Sequence, residues 1–137
     1  MHVTGETGIM PSFLKAQLVL PVHDMTEVRE WYERTLGFET VFLNTDPDDD
    51  PTGNYAILRR EGAELHLILD ESPRTHPWMT AGTGYLFLIV AGVESLHGEL
   101  AASGVCLTRE LETEAWGAKA FQLTDPSGNL ILVAEAV

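Results

Sequence analysis

Ala118-Lys119-Ala120-Phe121-Gln122-Leu123-Thr124-Asp125-Pro126-Ser127-Gly128-Asn129-Leu130-Ile131-Leu132-Val133-Ala134-Glu135 sets two short apolar runs on either side of Asp-Pro-Ser-Gly. Proline presets φ at the second position of a tight turn and glycine suits its end, so the stretch predicts a β-hairpin closing the chain. Tyr55 to Leu69 echoes it, with Tyr55-Ala56-Ile57-Leu58-Arg59-Arg60 and Ala63-Glu64-Leu65-His66-Leu67-Ile68-Leu69 flanking Glu61-Gly62. The echo predicts a chain built twice.

Upstream of the echo, Phe13 to Val22 reads as a strand. Leu18, Leu20 and Val22 share one face, and Gln17, Val19 and Pro21 share the other. Asp24 and Glu27 have capping-box spacing. Met25, Val28, Tyr32 and Leu36 form a helical stripe, and Gly37 stands where a C-terminal cap belongs. Trp31 and Tyr32, at helical spacing, read as packing. Phe38 to Asn44 is a second strand, and Thr45 to Asn54 an acidic loop. Asp46, Asp48 and Asp50 open like a calcium loop, but Pro51 stands where that loop needs glycine and Ile57 where it needs glutamate, so a solvated turn is expected.

Beyond a connector from Glu71 to Thr83 the order begins again. Gly84 to Val90 is a strand, Val93, Leu96 and Leu100 mark a helix stopping at Ser103-Gly104, Cys106 to Leu111 is a strand, and Glu112 to Gly117 is a loop before the closing hairpin. Met25, Val28 and Tyr32 follow Val22 at the offsets at which Val93, Leu96 and Leu100 follow Val90. Gly37 and Gly104 follow the same two valines by 15 and 14 residues. The expected fold is α+β: two tandem βαβββ units forming curved mixed sheets. Residues 1–137 make a single domain, with 1–12 a flexible arm, 13–70 the first unit, 71–83 the connector and 84–137 the second unit. A unit of this size covers one sheet face with its helix, and the other face must meet another sheet.

Composition narrows the function. Twenty-one acidic against 8 basic residues give a net charge of −13, which disfavours nucleic acid and anionic membrane as partners and raises the local concentration of a cationic ligand. The single cysteine, Cys106, excludes an internal disulfide and fits a reducing compartment. No secretory leader pattern and no apolar run of membrane-spanning length is present, so a cytoplasmic location is expected. Phosphate-loop, nucleophile-elbow and paired-histidine helix motifs are missing.

Leu20-Pro21-Val22, Trp31-Tyr32, Leu36-Gly37-Phe38, Leu100 to Val105, Trp116-Gly117 and Asp125-Pro126-Ser127-Gly128-Asn129 together resemble the vicinal oxygen chelate superfamily, which includes glyoxalase I, extradiol dioxygenases, and fosfomycin and bleomycin resistance proteins. The resemblance runs from about Phe13 to the end. It implies paired half-barrel sheets enclosing a ligand cavity, usually in a homodimer. It also implies that metal-dependent members draw ligands from the first and last strands of each unit. Carried over by position, those places fall on Gln17, on His66 with Glu64 on the same face, on Tyr85, and on Leu132 where a glutamate is common. Leu132 cannot ligate, and Gln17 and Tyr85 are weak or unusual ligands for a site that wants three strong ones. The pattern is similar to the metal-free members, of which bleomycin resistance proteins are the best known.

The residues are consistent with a small-molecule site. Glu64, His66 and Ile68 share a face of one strand, opposite Leu65, Leu67 and Leu69. Phe87 and Ile89 share the face of Tyr85, Leu130 and Leu132 share a face of the last strand, and Trp78 and Trp116 lie in loops. An apolar wall with few polar points is the usual make-up of such a site. The expected function is therefore binding and sequestration of a small, cationic, drug-like molecule, without metal or other cofactor, in a cleft formed by a homodimer. The ligand-binding residues would be Gln17, Glu64, His66, Trp78, Tyr85, Phe87, Ile89, Trp116 and Leu132, and none would be catalytic. The alternative is a metal-dependent lyase, isomerase or dioxygenase of the same superfamily, with His66 and Glu64 on a divalent ion.

Overall fold

The computed structural model describes residues 10–71 and 79–136. The first unit runs β1 (Leu18–Val22), α1 (Met25–Leu36), β2 (Glu39–Asp46), β3 (Asp50–Arg60) and β4 (Ala63–Leu69). The second runs β5 (Tyr85–Val90), α2 (Val93–Ala102), β6 (Arg109–Thr113), β7 (Lys119–Thr124) and β8 (Leu130–Glu135). Each unit folds into a four-stranded mixed sheet. The orders are β1-β4-β3-β2 and β5-β8-β7-β6, so first, last, third and second strands lie side by side in both. The first and last strands of each unit pair parallel, and the other pairs are antiparallel. The duplication expected from spacing is thus repeated in topology.

The helix of the first unit forms for the reasons its sequence gives. The Asp24 carboxylate accepts the Glu27 N–H at 3.0 Å, and Gly37 takes a left-handed conformation (φ 69°) that ends the helix. Met25, Val28, Tyr32 and Leu36 are buried beneath it. They meet Leu20, Val22, Ala56, Leu58, Leu65 and Leu67 from the sheet, and the same apolar cluster continues through Leu86, Leu88, Val93, Leu100, Phe121, Leu123, Ile131 and Val133 of the second unit. One core therefore underlies both units on their helix-covered faces. A much smaller cluster of Ala120, Leu132 and Ala134 lies on the opposite face of the second sheet.

Three boundaries differ from the sequence expectation. The first strand begins at Leu18 rather than Phe13, and Phe13 and Leu14 are exposed, because among the described residues no neighbouring strand pairs with them. The stretch read as an acidic loop, 45–54, is mostly strand: β2 and β3 pair down to Asp46 and Asp50, leaving only a tight turn. Asp46 accepts the Asp48 N–H and Asp50 accepts the Gly53 N–H, so these aspartates shape the turn. In the second unit the corresponding strand is Arg109–Thr113, displaced towards the C-terminus from the expected 106–111.

The closing hairpin does more than turn the chain. Gly128 N–H bonds Asp125 O at 2.9 Å and Asp125 N–H bonds Asn129 O at 3.0 Å, the tight turn that Asp-Pro-Ser-Gly predicts. Asp125 is almost wholly buried and fully satisfied. One carboxylate oxygen accepts the N–H groups of Ser127 and Asn129, and the other accepts the Tyr32 hydroxyl at 2.9 Å and the Asn129 amide at 2.9 Å. Asn129, 0% exposed, donates to Pro21 O at 2.9 Å and accepts the Gly84 N–H at 2.7 Å. Ser127 Oγ accepts the His23 N–H at 2.9 Å and lies 2.6 Å from His23 Nδ1. The turn of the second unit is thus bonded to the first strand, the helix and the start of the second sheet. Gly84 has to lack a side chain, since a Cβ there would stand 2.5 Å from Leu20 and 2.8 Å from the Asn129 amide oxygen. Burial and the Asp125 carboxylate beside it both hold the Tyr32 phenol well above its ordinary pKa, so it remains a donor.

Candidate functional site

The faces not covered by helices carry the expected site residues, in two groups. The first is on the second sheet. Along β5, Leu86 and Leu88 point into the core, while Tyr85, Phe87 and Ile89 stand on the other face at 52%, 51% and 59% exposure. Register sets Phe87 beside Leu132, and Leu132 beside Gln122. Trp116, in the loop between β6 and β7 and also 51% exposed, meets Phe87 edge to face with ring centroids 6.3 Å apart. Leu132 is buried as the floor beneath this row. A groove of about 730 Å³ runs beside the row; Phe87 and Ile89 form one side of it, and Leu36, Phe38, Ala63 and Leu96 lie among its other walls.

The second group is on the first sheet. His66 and Glu64 share the helix-free face of β4, as alternation predicts, and His66 is buried at 9% exposure. Tyr55 Oη lies 2.5 Å from His66 Nδ1, and the two rings pack edge to face. On the other side, His66 Nε2 is 3.6 Å from Glu64 Oε2. The Arg59 guanidinium reaches Glu64 Oε1 with bonds of 2.9 and 2.6 Å, and Lys15 Nζ lies 3.1 Å from Oε2. The Arg59 hydrogen bonds, then those of Lys15, hold the Glu64 carboxyl down at about 2. The Tyr55 phenol is raised by burial.

Tyr55, Arg59 and Lys15 are the members that reading the sequence missed. A two-residue connection, Glu61-Gly62, joins Arg60 to Ala63, and that register sets Arg59 opposite Glu64 and Ile57 opposite His66. Tyr55 is then the diagonal neighbour of His66, within reach of a long side chain. Of the remaining expected residues, Gln17 is exposed just before β1, ahead of the strand itself. Trp78 lies outside the described residues.

Metal chemistry can be tested on the side chains present. Among the described residues no three of His, Cys, Asp and Glu converge as a metal site. Of the two strong donors on this face, Glu64 is held by two cations and His66 Nδ1 by Tyr55, which leaves His66 Nε2 as a single open ligand atom. The last strand offers Leu132 where a carboxylate would be needed. The described residues do not fit a catalytic divalent ion, which wants three strong ligands. No described helix is long and apolar enough to cross a membrane.

Comparison with known proteins agrees with this architecture. The family model described as the Glyoxalase/Bleomycin resistance protein/Dioxygenase superfamily matches residues 16–133. No curated protein sequence matches the chain. Among solved structures, a member of that superfamily from Sphaerobacter thermophilus is 27% identical, with a TM-score of 0.71 over 93% of this chain and 100% of that one. The bleomycin-binding protein of bleomycin-producing Streptomyces verticillus, complexed with copper(II)-bleomycin, is 24% identical, with a TM-score of 0.73 over 93% and 100%. The bleomycin resistance determinant encoded on the transposon Tn5 is 22% identical, with a TM-score of 0.70 over 90% and 98%. At those last two identities the likeness is one of fold. With its doubled βαβββ topology and a family match spanning most of its length, the chain belongs to the glyoxalase/bleomycin resistance protein/dioxygenase superfamily.

Proposed function

We propose that this protein binds and sequesters a small, drug-like molecule in a cleft shared by two copies of the chain, and that it does so without a metal ion. The observation that carries this reading is the row Tyr85, Phe87 and Ile89 on one sheet face beside Leu132, with the loop residue Trp116 against Phe87, four large side chains about half exposed. Leaving such a row in water forfeits roughly 1 kcal/mol per side chain relative to covering it, and contiguous exposed apolar patches mark binding surfaces. Flat rings set edge to face offer stacking surface to an aromatic ligand. The net charge of −13 favours a cationic molecule at long range. The fold-level likeness to the bleomycin-binding protein of Streptomyces verticillus supports an antibiotic-type ligand.

The copy-sharing part has its own support. Val41, Phe42, Tyr85, Phe87, Ile89 and Trp116 are all exposed on a single chain, and each sheet has a helix on one face only. A second copy would cover the other face.

A thermal-shift titration with bleomycin in buffer containing a strong chelator tests the reading. A saturable rise in Tm, reduced at least several-fold in apparent affinity by Trp116→Ala, is expected. A rise that appears only after divalent metal is restored would overturn the metal-free part. If no member of a broader set of flat aromatic antibiotics shifts Tm, the binding reading itself is wrong.

A further inference from the structure

On the helix-free face of the first sheet a phenol, an imidazole and a carboxylate stand in series. Tyr55 Oη is 2.5 Å from His66 Nδ1, and His66 Nε2 is 3.6 Å from Glu64 Oε2. Glu64 is pinned as an anion between Arg59 and Lys15. A carboxylate on the Nε2 side favours the tautomer with its proton on Nε2. Nδ1 is then the acceptor and the Tyr55 hydroxyl donates to it. Nε2 is buried and has no hydrogen-bond partner among the described residues. An orphaned buried N–H is costly, and a nearby anion lessens that cost. The Glu64 carboxylate attracts the ring more strongly once it carries charge, so it stabilises the charge that develops when a proton is passed to Nδ1. Tyr55 is half-buried and His66 is buried, so the tyrosine is the more exposed member of that pair. The roles are those of a hydroxyl–imidazole–carboxylate triad, with a phenol as the hydroxyl.

We propose that Tyr55, backed by His66 and Glu64, is a general base that takes a proton from a small carbon, oxygen or nitrogen acid bound on this face. The substrate's proton passes to Tyr55 Oη as the tyrosine's own proton passes to His66 Nδ1. Tyrosine ends neutral, imidazole becomes imidazolium facing Glu64, and the substrate keeps the electron pair. Return of the proton to another substrate atom completes an isomerisation with no oxidant, reductant or metal. Tyr55 is the catalytic residue, and His66 and Glu64 act through it. This goes beyond sequestration and does not depend on it, since a protein that only sequesters has no use for the relay.

The test uses 5-nitrobenzisoxazole, which on losing its C3 proton breaks its N–O bond and opens to a coloured cyanophenolate. Positioned general bases typically contribute on the order of 10²-fold or more. The intact protein is expected to open the probe about 10²-fold faster than Tyr55→Phe, with His66→Gln equally slow. In the unsubstituted protein, ¹⁵N shifts should show His66 Nδ1 unprotonated and Nε2 protonated, a readout that requires no variant to fold. A rate no higher than that of Tyr55→Phe, a rate retained in His66→Gln, or the opposite tautomer each overturns the proposal. Probe opening is scored separately from bleomycin binding, so failure of either reading leaves the other standing or falling on its own result.

Discussion

Replacing Asn129 by alanine removes a side chain that holds three partners at once. Its oxygen accepts the Gly84 N–H at 2.7 Å, and its amide donates to Pro21 O and to Asp125 Oδ2, both at 2.9 Å. The bonds to Pro21 and Asp125 are buried, that to Gly84 is part-buried, and Asn129 itself is 0% exposed. Each polar group left buried without a partner costs about 1–3 kcal/mol. The three are neighbours and relax together, so their costs will not add in full. A net loss of about 3–5 kcal/mol follows, out of the roughly 5–15 kcal/mol that a domain has. For a domain of this size that is a fall in Tm on the order of 10–20 °C. Urea unfolding followed by far-ultraviolet circular dichroism measures it, with two companions for scale. Ser127→Ala, which cuts the two contacts with His23 at the surface, should cost about 1 kcal/mol. Tyr32→Phe leaves Asp125 Oδ2 with only the Asn129 amide and should fall between. If Asn129→Ala costs no more than Ser127→Ala, the turn does not join the units as described.

Glu64 makes stability depend on acid. Its carboxyl is held near 2 when folded, against about 4.3 in an unfolded chain. Its contribution is therefore present in full above the unfolded value and fades as pH falls through the folded one. Between about pH 4.5 and 2 the unfolding free energy of Glu64→Gln should decline less steeply than that of the unsubstituted protein, and parallel curves would contradict the Arg59 and Lys15 contacts. Glu61 sits in the left-handed region (φ 51°) at an exposed turn, a conformation that costs a side-chain-bearing residue about 1 kcal/mol or more. Allowing for the extra freedom of glycine when unfolded, Glu61→Gly should raise stability by about 0.5 kcal/mol; a loss would mean that the turn is relaxed as it stands. Phe87→Asp places a charge in the exposed aromatic row and should leave the circular dichroism spectrum intact while lowering the sedimenting mass to that of one chain. Unchanged mass would contradict the proposed sharing of that row between two copies.

The fold was legible because its signals are local and repeated. Asp24, the stripe from Met25 to Leu36, and Gly37 announce a helix in consecutive residues, and Val93, Leu96 and Leu100 repeat the offsets. Alternation alone separated Leu65 and Leu67 from Glu64 and His66. The acidic stretch misled because aspartates and prolines weigh against strand by composition, whereas pairing across β2 and β3 decides the matter there. The site was legible only by halves. Tyr85, Phe87 and Ile89 follow from period two, but the partners of His66 depend on the register across the Glu61-Gly62 turn. A shift of one residue there would turn Tyr55 and Arg59 to the other face. The burial of Asp125 and Asn129 had no local signal at all. Their partners, Tyr32, Pro21 and Gly84, are between 45 and 108 residues distant in sequence.

Metal content tests the proposed binding mode most directly. Purified protein, dialysed against metal-free buffer and measured by plasma mass spectrometry, is expected to hold far less than one divalent ion per chain and to keep its Tm when chelator is added. One tightly held ion per chain, with a Tm that drops on chelation and recovers when that ion is restored, would contradict it and return His66 and Glu64 to the role of ligands.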